Sequence, residues 1–139
     1  MAGIERWWSG RSPTRQPIIL AGLAGSLHES FANGCAWWVS AVVESRDAPG
    51  LSPTLFVPAS RCVVTSARGA VVDRGMKRSL RATTGADLVD LESIAFARSA
   101  TQAGASWAIV RGVSDDVDAR LPAGIDRWVD ARGRTRIMP

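Results

Sequence analysis

Short apolar runs alternate with helical segments along the chain, and this pattern is clearest in its second half. An apolar run at 88–91 ends on Glu92, and an alanine-rich segment with helical periodicity follows it. A second apolar run at 107–113 ends on Ser114 and Asp115. This order predicts strand, helix, strand, with an acidic residue at the end of each strand. Because ligands in open α/β sheets bind just beyond the carboxyl ends of strands, Glu92 and Asp115 are candidate site residues.

The first half of the chain carries three further apolar runs, and each predicts a strand. They lie at 17–21, 35–43 and 61–66. Gly22 and Gly25 directly follow the first run, and they predict backbone that passes close to a ligand or to another chain segment. A tight turn from a strand into a helix would show the same pair of glycines.

The segment between the third strand and the alanine-rich helix has a polar start and a helical centre. Asp73 is the predicted N-cap of a helix that runs to about Ala82. The basic residues of this helix stand at helical spacing and predict a solvated face: Arg74, Lys77, Arg78 and Arg81. A last helix is predicted at 121–129, where Pro122 occupies a favoured position in the first turn.

Length and composition predict one α/β domain. The 139 residues are 46% hydrophobic, which is enough for a single core. No apolar stretch reaches the roughly 18 residues that a membrane helix needs. Arg6, Arg11 and Arg15 interrupt the N-terminal segment, so the apolar core of a signal peptide is not expected there. We therefore predict a soluble, cytoplasmic protein with no membrane partner. Its predicted organisation is an irregular segment at 1–16, a domain at 17–130 and a tail at 131–139.

Charge and metal-ligand content narrow the function classes further. The formal net charge is +4, but the arginines are scattered and do not form a basic patch with interleaved aromatic residues, so we predict no nucleic-acid partner. Cys35, Cys62 and His28 are too few and too widely spaced for a zinc site. The acidic residues at 115–118 lack the glycine and distal glutamate of a calcium loop. The sequence predicts no metal.

Each candidate carboxylate also has a purely structural explanation. An acidic residue in a first helical turn is stabilised by the helix dipole, which would account for Glu92 without any chemistry. Ser114 and Asp115 resemble a helix N-cap or a turn. The spacing of these residues leaves both interpretations open.

Three motifs, in this order, resemble the nucleoside phosphorylase and nucleosidase superfamily. Ala-Gly-Leu-Ala-Gly-Ser-Leu at 21–27 looks like the glycine-rich turn of that family. Val-Asp-Leu-Glu-Ser at 89–93 is similar to its Met-Glu strand end, and Val-Arg-Gly-Val-Ser-Asp at 110–115 is similar to its Ser-Asp strand end. The superfamily includes purine nucleoside phosphorylases, methylthioadenosine/S-adenosylhomocysteine nucleosidases and hopanoid-associated phosphorylases. The resemblance covers about residues 17 to 130.

The resemblance implies a three-layer α/β fold with a mixed sheet, and cleavage of the N-glycosidic bond of a purine nucleoside by phosphate or water. Glu92 would bind the ribose hydroxyls, and Asp115 would be the general acid toward N7 of the purine. Leu91, in place of the usual methionine, and Ser114 would line the substrate site. The expected partner is a small-molecule nucleoside.

The resemblance further implies that Gly22 and Gly25 direct backbone amides toward the phosphate or the attacking water. Phosphate is then the expected co-substrate of a phosphorolysis, and no other cofactor is expected. Family domains begin with a strand and a phosphate loop, whereas only 16 residues precede Pro17, so the first strands are expected to be missing. A second interpretation therefore stays open, in which a shortened, non-catalytic homologue acts as a binding or assembly module. Since family members commonly pair subunits across the active site, a homo-oligomer is expected.

Overall fold

The structure is a computed structural model, and it describes residues 16–56, 58, 61–122 and 124–125. These residues form β1 (Ile18–Ser26), β2 (Ala36–Val42), β3 (Arg61–Ser66), α1 (Arg74–Thr84), β4 (Leu88–Asp90), α2 (Ser93–Gln102) and β5 (Trp107–Asp115). The predicted α/β class is confirmed. Most of the predicted irregular start, most of the predicted last helix and the predicted tail lie outside the described residues.

The five strands form one mixed sheet that closes into a barrel in the order β1-β4-β3-β2-β5. β1 runs parallel to β5 and antiparallel to β4, and β3 runs parallel to both β2 and β4. β2 and β5 are antiparallel. The predicted mixed sheet is confirmed, and the structure adds that it closes on itself.

The main core lies between α2 and the strands β2, β3 and β5, with which the helix is in contact. Phe96 and Ala97 of α2 are buried there, as are Trp107 and Ile109 of β5. The rings of Phe96 and Trp107 pack edge to face at a centroid distance of 6.1 Å. Burial of each such side chain contributes about 1.5–3 kcal/mol, so this interface fixes α2 and with it the chain that enters the helix from β4.

The ends of α1 follow local rules. Asp73 Oδ1 accepts a hydrogen bond from the backbone N–H of Met76 at 2.9 Å, which confirms the predicted N-cap. Gly85 ends the helix with a φ of 71° and donates its N–H to Arg81 O. In the described part of the chain, no helix is both long and apolar enough to cross a membrane.

At two places the sequence leaves a turn open as an alternative interpretation, and both are strands in the structure. β1 continues through Ser26, so Gly22 and Gly25 lie inside a strand and not in a turn after it. β5 continues through Asp115, so Ser114 and Asp115 end a strand and do not cap a helix. The parallel pairing of β1 with β5 explains both differences, because it continues to Gly25 and Asp115 after a register shift between Ala24 and Gly25, and it pairs Gly22 with Arg111.

Candidate active site

A cavity of about 490 Å³ opens where β1 and β4 separate. The two strands pair at Gly25 and Ser26 of β1, and segments 22–25 and 89–92 both line the cavity. Its volume falls in the range of roughly 300–1,000 Å³ that is typical of small-molecule sites. The wall brings together every site residue predicted from the sequence: Gly22, Gly25, Leu91, Glu92, Ser114 and Asp115.

Asp90 organises the entry into α2. Its Oδ1 accepts hydrogen bonds from the backbone N–H groups of Glu92 at 3.1 Å and Ser93 at 3.0 Å, and from Ser66 Oγ at 2.6 Å. Its Oδ2 accepts a hydrogen bond from Ser93 Oγ at 2.5 Å. The first backbone N–H groups of a helix have no hydrogen-bond acceptor within the helix. Asp90 Oδ1 is the acceptor for two of them. Sequence reasoning did not identify this residue.

The side chain of Glu92 does not cap the helix start that this residue occupies. It stands at the N-cap position, yet its side chain makes no capping hydrogen bond. The side chain is 55% exposed on the cavity wall, and its Oε2 lies 3.9 Å from Arg111 Nη2. Since Asp90 already satisfies the helix start, capping does not explain Glu92. Its carboxylate lies exposed on the cavity wall.

Arg111 is a buried cation that the sequence analysis overlooked. Its Nη2 lies 2.5 Å from Asp90 Oδ2 and 3.1 Å from Ser93 Oγ, and only 1% of its side chain is exposed. A buried guanidinium is costly unless it is paired, and Asp90 provides the pair. A Cβ atom at Gly22 would lie 2.2 Å from Nη1, so the missing side chain there makes room for Arg111. The available signal was a charged residue in the middle of an apolar strand.

Asp115 ends β5 with its carboxylate 10% exposed. Its Oδ2 lies 2.5 Å from Lys77 Nζ, and its Oδ1 lies 2.6 Å from Ser114 Oγ. A Cβ atom at Gly25 would lie 2.9 Å from Oδ2, so Gly25 makes room for this carboxylate as Gly22 does for Arg111. Ser114 Oγ also lies 3.2 Å from Ala24 O, and its single proton can serve one acceptor at a time.

The prediction of a solvated basic face on α1 was wrong for Lys77. Lys77 has no exposed surface, and its Nζ donates hydrogen bonds to Asp115 Oδ2 and to the backbone O of Asp116, both at 2.5 Å. Helical periodicity groups the basic residues correctly, but it does not show that the end of β5 lies against that face. The pairing joins residues 38 positions apart.

Asp116, the acidic neighbour of Asp115, belongs to a different contact. Its Oδ1 accepts a hydrogen bond from the backbone N–H of Asn33 at 2.7 Å, at an exposed position. This carboxylate therefore fixes the turn at Asn33 and Gly34, where Gly34 has a φ of 85°. The side chains of the two adjacent aspartates have different partners, although the backbone O of Asp116 shares Lys77 with Asp115.

In the part of the chain that the structure describes, His28, Cys35 and Cys62 do not line the cavity. Among the described residues, no group of three or more His, Cys, Asp or Glu side chains is arranged to hold a metal ion. Cys35 and Cys62 are both free thiols, the first exposed and the second buried. Burial raises the pKa of the Cys62 thiol from its ordinary 9.0 to about 12, and the nearby negative charge of Asp87 adds to this rise.

The fold and the cavity together define a class of mixed α/β protein in which two differently supported carboxylates lie at or just beyond the ends of β4 and β5, the strands on either side of β1. The family model of the Phosphorylase superfamily matches residues 10–137, and the chain belongs to this superfamily. The family predicted from the motifs is therefore confirmed. No curated protein matches the sequence.

Solved structures of nucleosidases share the fold. A futalosine hydrolase mutant of Helicobacter pylori strain 26695 superimposes with a TM-score of 0.66 at 16% identity, over 81% of this chain and 62% of that one. The 5'-methylthioadenosine/S-adenosyl homocysteine nucleosidase (MTAN) of Helicobacter pylori gives 0.64 at 18%, over 74% and 56%. MTAN of Chlamydia trachomatis gives 0.64 at 18%, over 84% and 56%. This chain therefore spans about six tenths of the length of these structures.

Proposed function

We propose that this chain cleaves the N-glycosidic bond of a purine nucleoside, with water as the attacking group. The observation that carries the proposal is one cavity with two carboxylates in contrasting surroundings. Glu92 is half-exposed and makes no capping bond, whereas Asp115 is held by Lys77 and Ser114. A glycosidic bond needs such a pair, because charge of opposite sign develops on the sugar and on the leaving base.

Glu92 would act on the sugar. A carboxylate at this position accepts hydrogen bonds from the ribose hydroxyls and so fixes the ring in the cavity. Its negative charge also stabilises the cationic, oxocarbenium-like transition state that forms as the bond breaks. Leu91, which is 49% exposed on the same wall, would give the sugar an apolar surface.

Asp115 would act on the base. Protonation at N7 turns the purine from an anionic leaving group into a neutral one, which lowers the barrier to bond cleavage. Ser114 would orient the carboxyl through the contact between its Oγ and Asp115 Oδ1. The acid is therefore presented by a rigid strand end and not by a mobile loop.

The charges on the cavity wall favour water over phosphate. Within the described residues, Arg111 is the one cation on this wall, and Asp90 already pairs with it at 2.5 Å. The same wall carries Asp90, Glu92 and Asp115, so even with Lys77 paired to Asp115 a phosphate dianion would meet three carboxylates and two cations. The neighbouring solved structures include a hydrolase and nucleosidases, which is in line with water as the nucleophile. The suggested direction of the amides of Gly22 and Gly25 toward the nucleophile stays a prediction.

The experiment incubates the chain with adenosine, inosine and methylthioadenosine, with and without phosphate, and follows release of the free base. We expect release from at least one substrate without phosphate, and loss of release in Asp115→Asn. Asp116→Asn is the matched control, because it removes the adjacent carboxylate, whose side chain contacts Asn33. If no nucleoside releases base, the catalytic proposal fails, and calorimetric binding of the same nucleosides would then favour the non-catalytic binding module.

A further inference from the structure

Lys77 and Asp115 form an ion pair that is almost completely removed from solvent. The Lys77 side chain is 0% exposed, that of Asp115 is 10% exposed, and Nζ lies 2.5 Å from Oδ2. The second hydrogen bond of Nζ goes to the backbone O of Asp116. A buried ion pair adds little stability over apolar packing, so stability alone does not account for this pair.

The pairing bears directly on how Asp115 can act as an acid. A carboxylate paired with an ammonium group carries no proton of its own, yet protonation of the base requires one. The pair as a unit does hold a transferable proton. Ammonium with carboxylate and amine with carboxylic acid are two states of the same pair that differ only in the position of one proton. Ser114 engages Oδ1, and the absent side chain at Gly25 leaves space beside Oδ2.

We infer that Lys77 supplies, through Asp115, the proton that the leaving purine takes up. This inference rests on the proposed function. The proton passes from Nζ to the Asp115 carboxyl and from there to N7, while the C1′–N9 bond breaks and its electron pair goes to the base. Lys77 is left as a neutral amine and Asp115 as a carboxylate. Addition of water to the sugar cation releases one proton, which restores the pair.

The surroundings of Lys77 suit this task. Because no part of Lys77 is exposed, solvent does not compete for its hydrogen bonds, and its proton is exchanged with Asp115. The backbone O of Asp116 holds Nζ in place before and after the transfer. Lys77 is fully buried and does not line the cavity, so it is a positioning residue that acts through Asp115.

The test compares Lys77→Met and Lys77→Arg with the unmodified chain on two substrates. One is the nucleoside that the unmodified chain cleaves best. The other is p-nitrophenyl β-D-ribofuranoside, whose leaving group departs as a stable anion and needs no proton. Arginine keeps the positive charge and the hydrogen-bond donors, but its guanidinium does not release a proton at working pH.

We expect both variants to lose at least about 100-fold in kcat on the nucleoside, with KM nearly unchanged, and to stay within about threefold on the nitrophenyl riboside. Full activity of Lys77→Arg on the nucleoside would show that Lys77 is only a counter-ion. An equal loss on both substrates would show a purely structural role. Either result overturns the inference and leaves the proposed function intact. An unmodified chain that releases neither base nor nitrophenolate overturns both.

Discussion

Gly22 of β1 stands opposite Arg111 of β5, and a Cβ atom at position 22 would lie 2.2 Å from the guanidinium Nη1. The guanidinium cannot simply move aside, because its Nη2 is held 2.5 Å from Asp90 and its side chain is 1% exposed. The position of the buried cation beside the cavity therefore depends on a side chain that is absent from the neighbouring strand.

Gly22→Ala should destabilise the protein. The new methyl group displaces Arg111 from Asp90, and the cost of separating a buried ion pair is about 3 kcal/mol or more in the free energy of unfolding. Urea denaturation of the variant and of Gly69→Ala gives the comparison. A Cβ at Gly69 has no neighbour within 4 Å, so that control should change stability little. Equal stability of both variants would contradict the steric argument.

Asp90→Asn should cost far more than the loss of an exposed ion pair. The variant leaves the buried Arg111 without its counter-charge, which we expect to lower the free energy of unfolding by about 3–5 kcal/mol. Asp118→Asn breaks the ion pair between Asp118 and Arg74, whose side chains are 61% and 54% exposed, respectively. That change should cost at most about 1 kcal/mol. Urea denaturation of the two variants measures the loss in the free energy of unfolding of each. Similar losses would show that Asp90 does not hold Arg111 in place.

Glu92→Gln should separate stability from activity. The Glu92 side chain makes no capping hydrogen bond and is 55% exposed, so the melting temperature should stay close to that of the unmodified chain. The loss of negative charge beside the sugar should reduce kcat/KM for base release by about 100-fold or more. Glu44→Gln is the control, since Glu44 is similarly exposed and pairs with Arg98 away from the cavity. Unchanged activity in Glu92→Gln would remove this residue from the site.

The two thiols should differ sharply toward alkylating reagents. Only the thiolate reacts, and the pKa of Cys62 is raised to about 12, so at pH 9 this buried thiol stays protonated in the folded protein. Cys35 is exposed. Mass spectrometry after iodoacetamide treatment should show one label on the folded chain, none on Cys35→Ser and two on the unmodified chain in urea. A second label on the folded chain would show that the Cys62 region opens to solvent.

Much of the fold was readable from apolar runs, because most of the strand positions that pack in the core carry apolar side chains. β3 has the bounds that its run predicts, Arg61–Ser66. Glu92 and Asp115 were also found, since strand ends in an α/β sheet are recognisable positions. For both residues the sequence also left a structural explanation open, a helix start for Glu92 and an N-cap or turn for Asp115. The structure shows instead that Asp90 caps α2 and that Lys77 pairs with Asp115.

The remaining site residues depend on partners that are distant in sequence. Asp90 and Arg111 meet through β4 and β5, and Lys77 meets Asp115 through the placement of α1 beside the end of β5. No local pattern contains such pairings. The glycines illustrate the same limit, because their spacing indicated close approach by a ligand or by another chain segment. The structure shows that the second applies, with Arg111 and Asp115 as the approaching groups.

The pairing of glycines in β1 with charged residues in β5 restricts how this site can change over evolutionary time. A side chain fits at position 22 only if position 111 no longer carries the long arginine side chain. The same steric constraint links positions 25 and 115. Substitutions in the two strands must therefore occur together, although 89 positions separate Gly22 from Arg111 in the chain (111 − 22). Any attempt to transplant the site into another scaffold must carry both strands together.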